Sequence, residues 1–142
     1  MTPNNFDLVR RFSILVSSVV LFTTGVVHAV QPYYFIHTIS SYRILDSFMS
    51  GLVGLWLPYL QIVLATCLSL RLVEIAATLV STVLFAVFSI AQVSVLARGM
   101  EIDCGCYGFV ASGVSPFTVM VPSVLCLACF SCAVFSIRLQ KE

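Results

Sequence analysis

Four long apolar stretches, at 12–30, 52–70, 75–97 and 117–137, constrain this chain more than anything else in it. Each holds roughly twenty residues, and a helix of that length covers the ~30 Å hydrocarbon core of a bilayer. Lipid offers no partner to backbone polar groups, so such segments are read as transmembrane helices. Composition agrees: 60% of the 142 residues are hydrophobic and 9% are charged, where a soluble domain is about a quarter charged. No repeat, low-complexity tract or linker divides the chain, and 1–142 reads as a single domain. The net charge of +1 comes without a basic run, which excludes a nucleic-acid partner and leaves membrane lipid as the surroundings.

Short connections between the spans predict an all-α integral membrane protein, a four-helix antiparallel bundle with both termini on one side. Arg10, Arg11, Arg71, Arg138 and Lys141 then share that side, against Arg43 and Arg98 on the other. The positive-inside rule puts the termini in the cytoplasm, which implies a multi-pass protein of a bacterial inner membrane. A second reading of the first span exists. A basic flank, an apolar run and Val27-His28-Ala29 also fit a secretory signal cleaved after Ala29. Three further spans and the even helix number favour retention. Arg10-Arg11 matches a twin-arginine signal in two residues only.

Residues 31–50 carry Gln31-Pro32-Tyr33-Tyr34-Phe35 and then Tyr42-Arg43-Ile44-Leu45-Asp46. Proline does not continue a helix interior comfortably and tyrosine favours the headgroup level, which predicts an interfacial connection, with a short amphipathic helix or a plain aromatic belt as its form. Pro58 interrupts the second span, with Gln61 one turn beyond it, and Gln92 sits near the far end of the third. Glutamine is costly in lipid unless it faces protein or a cavity. Pro58, Gln61 and Gln92 are therefore read as bonding between helices or as lining a pocket. An apolar cleft with a few polar contacts suits a quinone ring.

The third and fourth spans are joined through Arg98-Gly99-Met100-Glu101-Ile102-Asp103-Cys104-Gly105-Cys106-Tyr107-Gly108, where charge, glycine and paired cysteine meet. On the predicted topology this loop is outside, in the oxidising periplasm where disulfides persist. Gly105 lacks a Cβ and permits the tight turn that brings the two thiols together, and Gly108 the reversal toward the fourth span. A ring that small strains its backbone, and strained or exposed disulfides are the labile ones. Cys104 and Cys106 are the candidate redox pair, with a structural disulfide or two free thiols as the plain alternative. Two cysteines cannot complete a four-ligand zinc site, and no metal is expected. Arg98 favours thiolate while Glu101 and Asp103 disfavour it; Arg98 equally serves to anchor its helix end. Gly99 belongs to the same turn geometry. Cys126, Cys129 and Cys132 repeat every third residue on the fourth span. Cys126 falls roughly 15 Å along the helix from Ser115-Pro116, where an apolar setting suppresses thiolate. These three and Cys67 are read as small packing residues.

With Arg98-Gly99, Ile102 and Cys104-Gly105-Cys106-Tyr107-Gly108 in view, the chain resembles the MauE family of methylamine-utilisation membrane proteins, within the wider DoxX-like group. Pro32-Tyr33 with Phe35, Tyr42, and Leu57-Pro58 stand where that family carries similar residues. The chain departs from it at Tyr107, usually Phe, and at Gln61, commonly an acid; a proline near Asp46 is missing. The resemblance implies an accessory role in maturing the disulfide-rich small subunit of periplasmic methylamine dehydrogenase, beside a thioredoxin-like partner. Cys104 and Cys106 would then pass a disulfide between the membrane and that partner. The alternatives are a non-catalytic scaffold or chaperone that uses 32–48 and the outer loop, and a subunit of a quinone-linked oxidoreductase. Whether the protein is itself an enzyme is left open by the motif.

Overall fold

The computed structural model describes residues 3–71, 73–100 and 116–139, with side chains over 8–71, 73–100 and 118–134. Every regular element among them is helical: α1 (Pro3–Val30), α2 (Pro32–Ser41), α3 (Ser47–Ser69), α4 (Glu74–Ala97) and α5 (Pro116–Leu139). Three are long and apolar enough to cross a membrane by length and composition, namely α1 over Leu8–Val30, α3 and α4. In α5 the described apolar stretch, Thr118–Val134, is shorter. The short helix expected after the first span is α2, and α3 begins five residues before the expected 52.

Local chemistry sets these boundaries. Pro32 opens α2 at a position where its missing N–H costs no helical bond. Asp46 caps α3 by accepting from Met49 N at 3.0 Å. Between α3 and α4 the chain reverses tightly, with Arg71 and Val73 at φ of 55° and 49°. A β-branched residue in that region is strained, so the reversal is held by the helices on either side. Pro58 lies inside α3, which continues through it.

The strongest packing joins α1 to α3 and α4 to α5, while α2 lies on α3. Leu21, Leu64, Leu68, Phe85, Leu125 and Cys129 belong to the apolar core between them. Polarity is distributed in the reverse of a soluble protein. Ser17, Ser50, Ser81, Thr78, Gln61 and Gln92 are all buried, whereas Phe12, Phe22, Trp56, Tyr59, Val83 and Ile90 are exposed. Small and hydroxyl-bearing residues inside and bulky apolar ones outside are what lipid selects, because hydrocarbon gives apolar side chains no reason to hide. Ser18 illustrates the inner contacts: its hydroxyl donates to Ala65 O at 2.9 Å and meets Ser69 Oγ at 2.6 Å. At Gly25 an added Cβ would lie 3.0 Å from Gln61 Cβ and 3.1 Å from Pro58 O, so glycine lets α1 approach the α3 backbone.

Candidate functional site

A cavity of about 50 Å³ lies where α1, α3, α4 and α5 converge. Its walls are mostly apolar, with Phe85, Phe88, Val121 and Leu125 among them, and its polar groups come from Thr24, His28, Gln61, Gln92 and Thr118. His28 lies two residues before the end of α1, and Thr118 two residues after the start of α5. Gln92 precedes the end of α4 by five residues, or roughly 7.5 Å of helix. The cavity thus sits toward the end of the molecule where the chain leaves α4 for α5.

His28 is 2% exposed and is held on two sides. Its ring lies parallel to Phe35 of α2, with centroids 3.8 Å apart. Its Nδ1 is 3.2 Å from Oε1 of Gln61. This bond joins a polar side chain on α3 to an imidazole on α1.

At the nearby end of α4, the chain stops in a Schellman motif. Met100 N donates to Val95 O at 3.3 Å and Gly99 N to Leu96 O at 3.1 Å. Gly99 takes φ +63°, the left-handed conformation that this cap requires and glycine adopts without a Cβ penalty. Arg98 extends from the same cap and donates from Nη1 to the carbonyl of Tyr42 at 3.2 Å. The guanidinium ties the end of α4 to the end of α2.

Of the residues singled out in the sequence, Gln61 and Gln92 meet at the cavity although they stand on different helices. Pro58 is one turn from Gln61 but is buried in α3 beside Gly25 and is not part of the lining. Arg98 and Gly99 form the α4 terminus. Cys104, Cys106, Glu101, Asp103, Gly105 and Gly108 lie outside the described residues. Cys67, Cys126, Cys129 and Cys132 are free thiols. Cys129 and Cys132 are in the core, and the Cys129 thiol donates to Ser17 Oγ at 3.2 Å. His28 is the residue that sequence reading missed. It entered only as part of a cleavage-site pattern, while its real signal was an ionisable side chain inside an apolar span.

A family model described as methylamine utilisation protein MauE matches residues 6–137. No curated protein and no solved structure matches the chain.

Proposed function

Since the chain belongs to the MauE family of methylamine utilisation proteins, we propose that it is a membrane-embedded maturation factor whose Cys104 and Cys106 exchange a disulfide with a thioredoxin-like periplasmic protein. The client is a disulfide-containing periplasmic protein such as the small subunit of methylamine dehydrogenase. The observation that carries this reading is the fixed end of α4. Gly99 closes the helix and Arg98 fastens it to α2, and Cys104 follows Gly99 by five residues. At most ~3.6 Å per residue, Cys104 stays within about 18 Å of that end. On the proposed topology, with this end of α4 outside, a thiol on so short a tether would be within reach of a periplasmic partner.

The same reading includes a four-helix antiparallel bundle in the inner membrane with cytoplasmic termini. Contacts along α1 support it. Ser18 meets Ala65 and Ser69, while farther on His28 meets Gln61: as α1 advances, α3 recedes. Arg10 pairs with Glu74 at 3.0 Å, bringing the early part of α1 to the start of α4. The cavity brings their other ends together with the start of α5.

Exchange proceeds when a thiolate of one protein attacks a disulfide sulfur of the other and a mixed disulfide forms. The attacking protein's second thiol then displaces it, so one protein leaves as dithiol and the other as disulfide, in the direction their reduction potentials set. The test is to replace each cysteine by serine in turn, acid-quench and alkylate cells, and look for an adduct that reductant dissolves. An adduct formed by one single variant identifies the attacking sulfur. No adduct from either, together with full client maturation by the Cys104→Ser, Cys106→Ser double variant, rejects the exchange. The exposed Tyr33, Ile44, Leu45 and Phe48 around α2 would then favour the scaffold reading. A quinone is not needed for this exchange.

A further inference from the structure

We propose that the groove between α1 and α3 on the outer side of the helices, together with Arg11 and Arg71, is a binding site for one anionic phospholipid. The groove takes an acyl chain and the two guanidiniums take the phosphate. This site does not depend on thiol exchange.

The groove selects an apolar occupant. Its volume is about 350 Å³, and Ser18, Phe22, Thr23, Ala65, Thr66 and Ser69 are among the residues that line it. Phe22, Thr23, Thr66 and Ser69 are exposed, and both helices are long and apolar enough to cross a membrane, so this face meets lipid. The four hydroxyls along it are already bonded within the protein. Thr23 donates to Val19 O and Thr66 to Ile62 O, both at 2.8 Å. Ser18 donates to Ala65 O at 2.9 Å and meets Ser69 Oγ at 2.6 Å. A hydrocarbon chain can therefore lie in the groove without costing any of these groups its partner.

Charge stands beyond one end of the groove. On α1, Arg11, Leu15, Ser18 and Phe22 stand at i, i+4, i+7 and i+11, which places Arg11 on the groove face, about 10 Å along the helix from Ser18. Side chains of a helix tilt toward its N-terminus, so Arg11 leans away from the groove and toward the headgroups. On α3, Ser69 is the last helical residue, and Arg71 follows two positions later in the reversal to α4. Ser18 touches Ser69 and the two helices run in opposite directions, so both arginines lie beyond the same end. Both are exposed, and neither has an ion pair among the described residues. Among the described side chains at this end the acid is Glu74, which Arg10 holds from a position about 100° round α1 from Arg11.

Two cations at the mouth of an apolar groove match a ligand with a negative head and an apolar tail. Arginine meets phosphate oxygens with paired N–H donors, and a cation near an anionic membrane surface adds to binding. Free phosphate would leave the groove unfilled. A zwitterionic lipid would bring a cation of its own to the arginines. A second copy of this chain in the same membrane orientation would bring like charges to the same end.

The test is native mass spectrometry of the full-length protein, released from detergent micelles that hold equal amounts of phosphatidylglycerol and phosphatidylcholine. One phosphatidylglycerol per chain should be retained in preference to phosphatidylcholine. Arg11→Gln and Arg71→Gln should each lower that preference about fivefold. Arg43→Gln, at an exposed arginine before the opposite end of α3, should leave it unchanged. Thr66→Phe fills the groove, keeps both arginines, and should abolish retention. Equal retention of the two lipids, or an equal loss in Arg43→Gln protein, overturns the proposal. Unchanged retention by Thr66→Phe protein overturns the groove as the seat of the chain. Displacement by an equal concentration of glycerol phosphate leaves an anion site only and overturns the lipid as ligand. A protein dimer that excludes the lipid and is broken by Thr66→Phe gives the groove to a second copy, and overturns it too. Added phosphatidylglycerol should raise Tm in detergent for the parent and for Cys104→Ser, Cys106→Ser protein alike, so failure of thiol exchange and failure of this site are read separately. An equal rise in Arg11→Gln, Arg71→Gln protein overturns the assignment of the two arginines.

Discussion

The glycines of α1 and α3 show how much a single atom decides at a helix contact. At Gly25 the atoms met by an added Cβ include a backbone carbonyl, Pro58 O at 3.1 Å, which cannot rotate away. At Gly51 nothing lies within 4 Å. Gly25→Ala should therefore destabilise the protein by about 1–3 kcal/mol through overpacking. Gly51→Ala should be neutral or stabilising by up to ~1 kcal/mol, because alanine is the better helix former. Thermal unfolding in detergent measures both; equal shifts of Tm for the two would contradict the close approach of α1 and α3. Gly54 is a third case, with Ile36 Cγ1 at 2.5 Å from the added atom. The Ile36 backbone Cα is also only 3.3 Å away, and a β-branched side chain is stiff at χ1, so Gly54→Ala should cost at least as much as Gly25→Ala. The cysteines of α5 obey the same logic. Cys129 packs in the core and donates to Ser17, so Cys126→Ala, Cys129→Ala, Cys132→Ala protein should keep any covalent partner adduct while losing some stability.

Among the elements, α4 is fastened at both ends by groups of different kinds. Glu74 opens it, where a carboxylate suits the helix dipole, and pairs with Arg10 across to α1. With the two side chains 17% and 23% exposed, the pair is partly screened and is worth about 1 kcal/mol. Glu74→Arg should lower Tm, and Arg10→Glu with Glu74→Arg should recover only part of it, because an arginine in the first turn opposes the dipole. Full recovery would mean that the dipole contributes nothing. At the other end, Gly99 at φ +63° is required by the cap. Gly99→Val should cost about 1–2 kcal/mol and loosen the tether of the following segment, which limited proteolysis after residue 98 would reveal as faster cleavage. Unchanged cleavage would show that Arg98 alone holds the terminus.

For the whole molecule, the arrangement of polar and apolar side chains is itself testable, since Trp56 is the one tryptophan and is 70% exposed. In nanodiscs its fluorescence should be quenched by lipids brominated on their acyl chains and spared by aqueous iodide. Quenching by iodide would reverse the orientation of that face. Topology is checked by a membrane-impermeant thiol reagent on intact cells after gentle reduction, which should reach Cys104 or Cys106. Labelling confined to lysed cells would place that loop inside.

The sequence by itself determined the helical class, the places of the apolar segments and the helix α2 near Pro32, because length, hydropathy and proline act locally. It also determined that Cys126, Cys129 and Cys132 would pack, since a thiol far along an apolar helix has little else to do. The family could be read from the residues around Cys104 and Cys106, and the match over 6–137 agrees. What only the tertiary structure decided was which polar groups meet. Gln61 and Gln92 could each be picked out as costly in lipid, but their partner His28 lies 33 residues before Gln61 in the chain. Periodicity assigns a residue to a face of its own helix and says nothing of the rotation or depth at which a second helix arrives. That registry comes from contacts such as Gly25 against Pro58 and Ser18 against Ala65, and it is what turned isolated polar residues on separate helices into one small cavity.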